Sequence, residues 1–263
     1  MNYDRPEFLD LKADKLEAAA GCVDFVEIKH DGRWVWATAD GETVTLTSLT
    51  GKAQAKRFPA RGVVGVFAGE YLHGTTRART CGSNGAVILF DVVEFDRRDV
   101  GGLLLSERRP LLERAAVALG SPFEASDLRP ASEAPEMWDR LVMRGGHEGL
   151  VFKFDDAFGR EWVRLKRTCT IDYVCIGAGA GSVCVGLYEG GELREAGRLF
   201  GLTSKTRAEM EANPGAFVGR TLRGTGMELT ERGALRHGRF AGWHDKPAEA
   251  CTLGAARRAS SGL

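Results

Sequence analysis

An excess of either charge is missing from this chain. Its 263 residues hold 36 lysines and arginines against 36 aspartates and glutamates, a formal net charge of zero. A global field that draws in polyanions is thereby excluded, and contact with nucleic acid has to come from local basic clusters. Paired cysteines are missing too. The six cysteines, at 22, 81, 169, 175, 184 and 251, form no Cys-x-x-Cys and have no histidine at ligand spacing. That argues against a zinc site and, in a reducing compartment, leaves them as thiols. No apolar run approaches the ~20 residues of a membrane span. Residues 1–10 are polar and of mixed charge, unlike a secretory leader. The expectation is a cytoplasmic protein with no membrane partner. Apolar content of 43% and charged content of 27% suit an ordinary globular chain of one large or two modest domains.

What is present changes texture along the chain. Residues 1–24 read as a lead-in with a helix, because Leu9, Leu11, Leu16 and the alanines 18–20 suit a helical stripe stopped by Gly21. From Phe25 to about Val100 the pattern is β-rich, with strand candidates around Val35 and over 43–47, 63–67 and 86–95, separated by glycine turns. The spacing of Leu111, Leu112, Ala115, Ala116 and Leu119 predicts a helix over 103–119 capped by Ser106, and 132–143 repeats the signature. Strands resume at 149–154 and 162–165. After Thr168, short β-prone runs at 173–176, 183–188, 197–200 and 217–222 alternate with glycine turns, interrupted by one helical stretch at 204–212. That is the pattern of a small Greek-key barrel of the OB type. The glycines at 177, 179 and 181 precede a strand instead of a helix, so they read as a hairpin connection and not as a dinucleotide cradle.

One stretch, Phe25-Val-Glu-Ile-Lys-His-Asp-Gly-Arg-Trp-Val-Trp36, places Lys29 at the end of a short apolar strand just before an Asp-Gly turn. A rigid element there aims one amine at a ligand. A lysine attacks only while neutral, and an unperturbed amine is protonated at neutral pH, so a nucleophilic lysine needs burial or cations supplied from elsewhere in the fold.

Further segments follow in order: Ala68-Gly-Glu70, Leu89-Phe-Asp-Val-Val93, Glu148-Gly-Leu-Val-Phe-Lys153, Trp162-Val-Arg-Leu-Lys166, and Arg236-His-Gly-Arg-Phe240 running into Asp245-Lys246-Pro247. From about residue 24 to 251, this ordered set resembles the covalent nucleotidyltransferases and, within them, the ATP-dependent DNA ligases. The stretches from Phe90 to Leu112 and from Leu235 to Cys251 look like the DNA-ligase versions of those regions. The resemblance implies an α+β chain: a nucleotidyltransferase (ATP-grasp-like ligase) adenylation domain of antiparallel sheets with flanking helices over 1–168, then an OB-fold β-barrel over 169–263. It implies a monomeric enzyme of DNA replication, repair or recombination that uses ATP with Mg²⁺ or Mn²⁺ and seals nicked double-stranded DNA through a lysyl-AMP on Lys29.

The roles implied by the resemblance fall residue by residue. Glu27 helps recognise adenine, Phe90 stacks on the purine, and Glu70 bonds the ribose hydroxyl. Glu148, with Glu70, holds the divalent cation, an oxygen-ligand task. Lys153, Arg164 and Lys166 supply fixed positive charge; alternation with Val163 and Leu165 puts the last two on one strand face, beside the α-phosphate and Lys29. Arg33 joins the nucleotide contacts, and Asp245 and Lys246 close over the pyrophosphate in the first step.

The chain also departs from the pattern. Trp34 stands where the family has an arginine, Arg33 comes one place early, and on a strand one place reverses the face. Leu49, Ala68, Trp243 and His244 likewise replace expected polar residues, with Lys52 the nearest basic substitute for the first. DNA contact is expected from Arg77 and Arg79, Arg97-Arg98, Arg108-Arg109, Arg220 and Arg223, and Arg236 with Arg239. No added N-terminal DNA-binding domain like that of larger ligases is expected, so two domains, or a partner, are expected to grip the duplex. Two alternatives stay open: an RNA ligase or other covalent nucleotidyltransferase such as a capping guanylyltransferase, and a non-catalytic DNA-end-binding module.

Overall fold

Strands whose successive residues face opposite ways organise the chain, and two sheets use that alternation to enclose a space between them. A computed structural model describes residues 5–73, 85–179 and 181–261. The chain divides into two compact units, Met1–Lys166 and Arg167–Leu263.

The first unit runs β1 (Phe8–Leu11), β2 (Phe25–Lys29), β3 (Arg33–Asp40), β4 (Thr43–Ser48), β5 (Ala53–Pro59), β6 (Val64–Leu72), β7 (Ala86–Phe95), β8 (Arg98–Asp99), β9 (Phe123–Ala125), β10 (Arg129–Pro130), β11 (Gly149–Lys153) and β12 (Trp162–Lys166). One sheet has the order β1-β12-β11-β2-β10. The other runs β5-β4-β3-β6-β7-β8, with β9 also paired to β7. In the larger sheet Val35, Ala37 and Ala39 bury one face of β3 against Leu112, Ala115, Ala116 and Leu119 of the helix Leu105–Leu119. In the smaller sheet Val26, Leu150, Phe152, Val163 and Leu165 pack against Ala19 of the helix Leu16–Ala20 and Ala134 and Met137 of the helix Ala134–Met137. The remaining faces meet in a third cluster, where Val151, Trp162 and Phe8 pack on Ala68, Phe90, Trp34 and Trp36. The strands β3, β6, β7, β11 and β12 thus each serve an outer core with one parity and the space between the sheets with the other.

Several elements differ from the sequence expectation. Leu9 and Leu11 lie in a strand, because β1 finds a parallel partner in β12, and the helix begins only at Leu16. Ser106 does not cap the helix Leu105–Leu119. The carboxylate of Glu107 accepts from the Leu104 N–H, while Ser106 donates from both its N–H and Oγ to Asp155. The second helix is α-helical only over Ala134–Met137 and continues as a π-helix, Trp138–Arg144.

The second unit runs β13 (Cys169–Gly179), β14 (Ser182–Glu189), β15 (Glu192–Phe200), the helix Ser204–Ala212, β16 (Thr221–Gly226), β17 (Arg239–Trp243) and the helix Leu253–Ser261. The strands close into a barrel in the order β13-β14-β15-β17-β16. Only β15 and β17 run parallel, meeting in the single pair Phe200 opposite Arg239. Its core gathers Ile171, Tyr173, Val185, Leu199, Leu222 and Leu253, and Tyr173 donates its buried hydroxyl to the Gly233 carbonyl at 2.7 Å. Phe217 precedes β16 instead of starting it, since Pro214 opens a short 3₁₀ turn there.

Candidate active site

The inward face of the smaller sheet is laid out in rows. Lys29 on β2 stands opposite Gly149 on β11, which stands opposite Lys166 on β12; the next row is Glu27, Val151, Arg164. Gly149 allows the strands to meet: a Cβ there would lie 1.9 Å from the Leu165 carbonyl oxygen. A cavity of about 180 Å³ opens on this face, with Glu27, Lys29, Trp34, Glu70, Phe90 and Arg164 in its wall.

Lys29 lies at the cavity with its Nζ 2.6 Å from Glu148 Oε2. Glu70 accepts from the Gly32 N–H at 3.0 Å. Gly32 is constrained too, though less tightly than Gly149, for a Cβ would sit 2.7 Å from the Tyr71 carbonyl oxygen and 2.9 Å from Glu70 Cγ. The Asp-Gly turn therefore serves to press a backbone donor onto the carboxylate. Burial nonetheless pushes the Glu70 carboxyl up to about 7; Lys29 and the Gly32 N–H pull it down, and the charges of Glu148 and Asp31 add to the rise.

Behind the cavity wall Lys153 is fully buried and 2.6 Å from Glu27 Oε1. It donates to the Phe90 carbonyl at 2.9 Å and lies 4.0 Å from the Trp162 ring centroid. Ser126 donates its hydroxyl to the other oxygen of Glu27 at 2.6 Å. A buried ion pair is tolerated when its lone pairs are filled in this way, and here it fixes Phe90, 7% exposed, from behind.

The structure brings Glu27, Lys29, Glu70, Phe90, Glu148 and Arg164 together, and it corrects other expectations. Arg33 is exposed and stands opposite Tyr71. It shares the parity of Val35, so Trp34 takes the place at the cavity. The cations expected around Lys29 are otherwise engaged: Arg164 grips Asp10 of β1 with both arms, at 2.8 and 3.1 Å, and Lys166 lies 3.6 Å from the same carboxylate. Burial would raise the Asp10 carboxyl, but the bonds and charge of Arg164 and Lys166 outweigh it and hold it below the ordinary value. Lys29 thus has an anion, Glu148, as its close partner. Asp245 and Lys246 belong to the second unit, where Asp245 is exposed and Lys246 pairs with Asp172 at 2.9 Å.

Among the basic clusters, Arg108 is 2% exposed and forms a two-armed pair with Asp91, at 2.8 and 3.0 Å. It is a core residue, excluded from DNA contact by burial. Arg109 bonds Glu113 and Ser126, Arg223 bonds Asp172, and Arg220 lies 4.6 Å from the Trp243 ring centroid. Arg97, Arg98 and Arg239 are exposed. Arg77 and Arg79 lie outside the described residues. Sequence reasoning missed Asp10, Trp34, Ser126 and Trp162. Alternation along Leu9-Asp10-Leu11 and Trp34-Val35-Trp36 was the available signal for the first two.

The architecture is one found in DNA ligases. It is similar to a Lig E DNA ligase described as binding DNA with a minimal scaffold, with a TM-score of 0.63 and 17% identity over 92% of this chain and 100% of that one. It is also similar to a mycobacterial DNA ligase D complexed with ATP and MES, with a TM-score of 0.51 and 21% identity over 94% and 98% of the two chains. At those identities the likeness is one of fold. In sequence, a probable DNA ligase of Nocardia farcinica is 31% identical over 141 residues, which is 51% of this chain and 24% of that protein. The match therefore spans about a quarter of the length of that curated relative. No family model matches the chain.

Proposed function

We propose that this chain is an ATP-dependent DNA ligase that carries AMP on Lys29. The observation that supports this reading is the Lys29 amine, 2.6 Å from Glu148, at a cavity walled by Glu70, Phe90 and Arg164, in a fold shared with DNA ligases. The Lys29 Nζ lone pair forms a bond to the α-phosphorus of ATP as the bond to pyrophosphate breaks, and pyrophosphate leaves with both bonding electrons. The proton that the ammonium sheds has Glu148 Oε2 as an acceptor at 2.6 Å. Phe90 stacks on the purine. Arg164 and Lys166 exchange Asp10 for the α-phosphate, a reaction that asks for positioning and charge more than for acid-base machinery. AMP then passes to the 5′-phosphate of a nick, and the 3′-hydroxyl displaces it to close the strand.

Mg²⁺ is held by few protein carboxylates together with substrate phosphates. Glu148 and Glu70 offer that donor set, near enough that the charge of one raises the other, and Mg²⁺ or Mn²⁺ would there offset phosphate charge. Residues 1–168 would form the adenylation domain. Residues 169–263 would form an OB fold, supported by the strand order, the parallel closure and the helix between the third and fourth strands. Lys246, on that domain with Asp245, would leave Asp172 to meet pyrophosphate.

Incubation with α-labelled ATP and Mg²⁺ tests the reading. The intact chain should take up label covalently and Lys29→Ala should take up none. An unlabelled intact chain would instead leave a DNA-end-binding module, and sealing of nicked RNA in preference to nicked DNA would move the assignment to RNA ligases.

A further inference from the structure

β1 sets Asp10 directly opposite Arg164 in parallel register, with Phe8 opposite Trp162. Phe8 packs in the space between the sheets, and alternation turns Asp10 to the same face. Both cationic partners of Asp10 come from β12. Arg164 Nε and Nη2 donate to its two oxygens at 2.8 and 3.1 Å, and Lys166 Nζ stands 3.6 Å from one of them. Arg164 is also laid back along β1, its guanidinium carbon 4.1 Å from the Phe8 ring centroid. A guanidinium fork fits two oxygens of a phosphate as it fits a carboxylate, so Asp10 occupies Arg164 in the manner of a phosphate. The other paired cations of the site leave little for an incoming triphosphate: Lys153 is fully buried on Glu27, and Lys29, the proposed nucleophile, is held by Glu148. Asp10, by contrast, is 53% exposed and Arg164 23%, so parting them returns the carboxylate to water at small cost.

We infer that Asp10 is a positioning residue that stands in for a nucleotide phosphate: it holds Arg164 and Lys166 at the cavity, is displaced from them when ATP binds, and so sets a ceiling on ATP affinity. This rests on the ligase reading above. The full chain and Asp10→Asn, which keeps the shape and one acceptor oxygen but not the charge, would be titrated by calorimetry with ATP and with adenosine, divalent cations chelated. The variant should bind ATP about fivefold more tightly, a factor fitting the loss of one partly exposed competing pair, and adenosine unchanged. Damage to the fold would weaken both ligands. In the unsubstituted protein the Asp10 carboxyl carbon resonance should move on adding ATP and stay in place with adenosine, a readout that stands even if the variant fails to fold. Equal or weaker ATP binding by the variant, an equal gain for adenosine, or an unmoved Asp10 resonance overturns the inference. If Lys29 nevertheless takes up label from ATP, the ligase reading survives alone; if neither ATP binding nor label is seen, both fall.

Discussion

Glu70 is a carboxyl whose folded-state value, about 7, lies above its ordinary 4.5 because burial disfavours the charge. The folded chain therefore keeps a proton that the unfolded chain has released. The stability this contributes is complete below the ordinary value and is lost as pH rises through about 7. Urea unfolding midpoints should fall from about pH 5 to about pH 8 in the unsubstituted chain, and Glu70→Gln should flatten that decline. An equal decline in both proteins would place the titration elsewhere. At this scale the gathering of Lys29, Glu70, Phe90 and Glu148 in one place was legible because each sits in one of the ordered short segments. Trp34 and Asp10 were not. Their positions beside the other cavity residues depend on cross-strand partners, Glu70 and Arg164, far away in sequence.

Among the elements, the helix Leu105–Leu119 is tied to β7 by Arg108 and Asp91, which are 2% and 1% exposed. Arg108 also donates to the Leu103 and Asp156 carbonyls, so one guanidinium joins the helix start, the β7 strand carrying Phe90, and the loop after β11. Arg108→Ala should cost about 3–5 kcal/mol in denaturant unfolding, because it strands a buried carboxylate. A loss under about 1 kcal/mol would mean that water reaches Asp91. The sequence displayed Arg108 as half of a basic pair with Arg109, and charge alone suggested a surface patch. Helical spacing located the element correctly but did not reveal that Arg108 lies on its inner side. The lead-in was misread for a related reason: four residues of β1 have no helical or strand identity of their own until β12 offers a parallel edge.

In the whole molecule the two units keep separate cores, one clustered around Tyr173 and Leu199 in the second unit and the others in the first. The change of texture after Thr168 made that division readable, since short β runs and glycine turns replaced the longer strands and helices. Residues 167–263 expressed alone should unfold in one cooperative step. Trp243, the only tryptophan after residue 162, reports it from its stack on Phe217 at 5.1 Å. A gradual, non-cooperative loss of its fluorescence would show that this unit needs the other to fold.

The barrel joins β15 to β17 through Phe200 and Arg239 alone, whereas β13 and β16 share six registered pairs. A cylinder stitched once along one side is in effect a rolled ribbon. It can be laid flat by parting that stitch while every antiparallel ladder stays intact, which would leave the five strands as one continuous sheet.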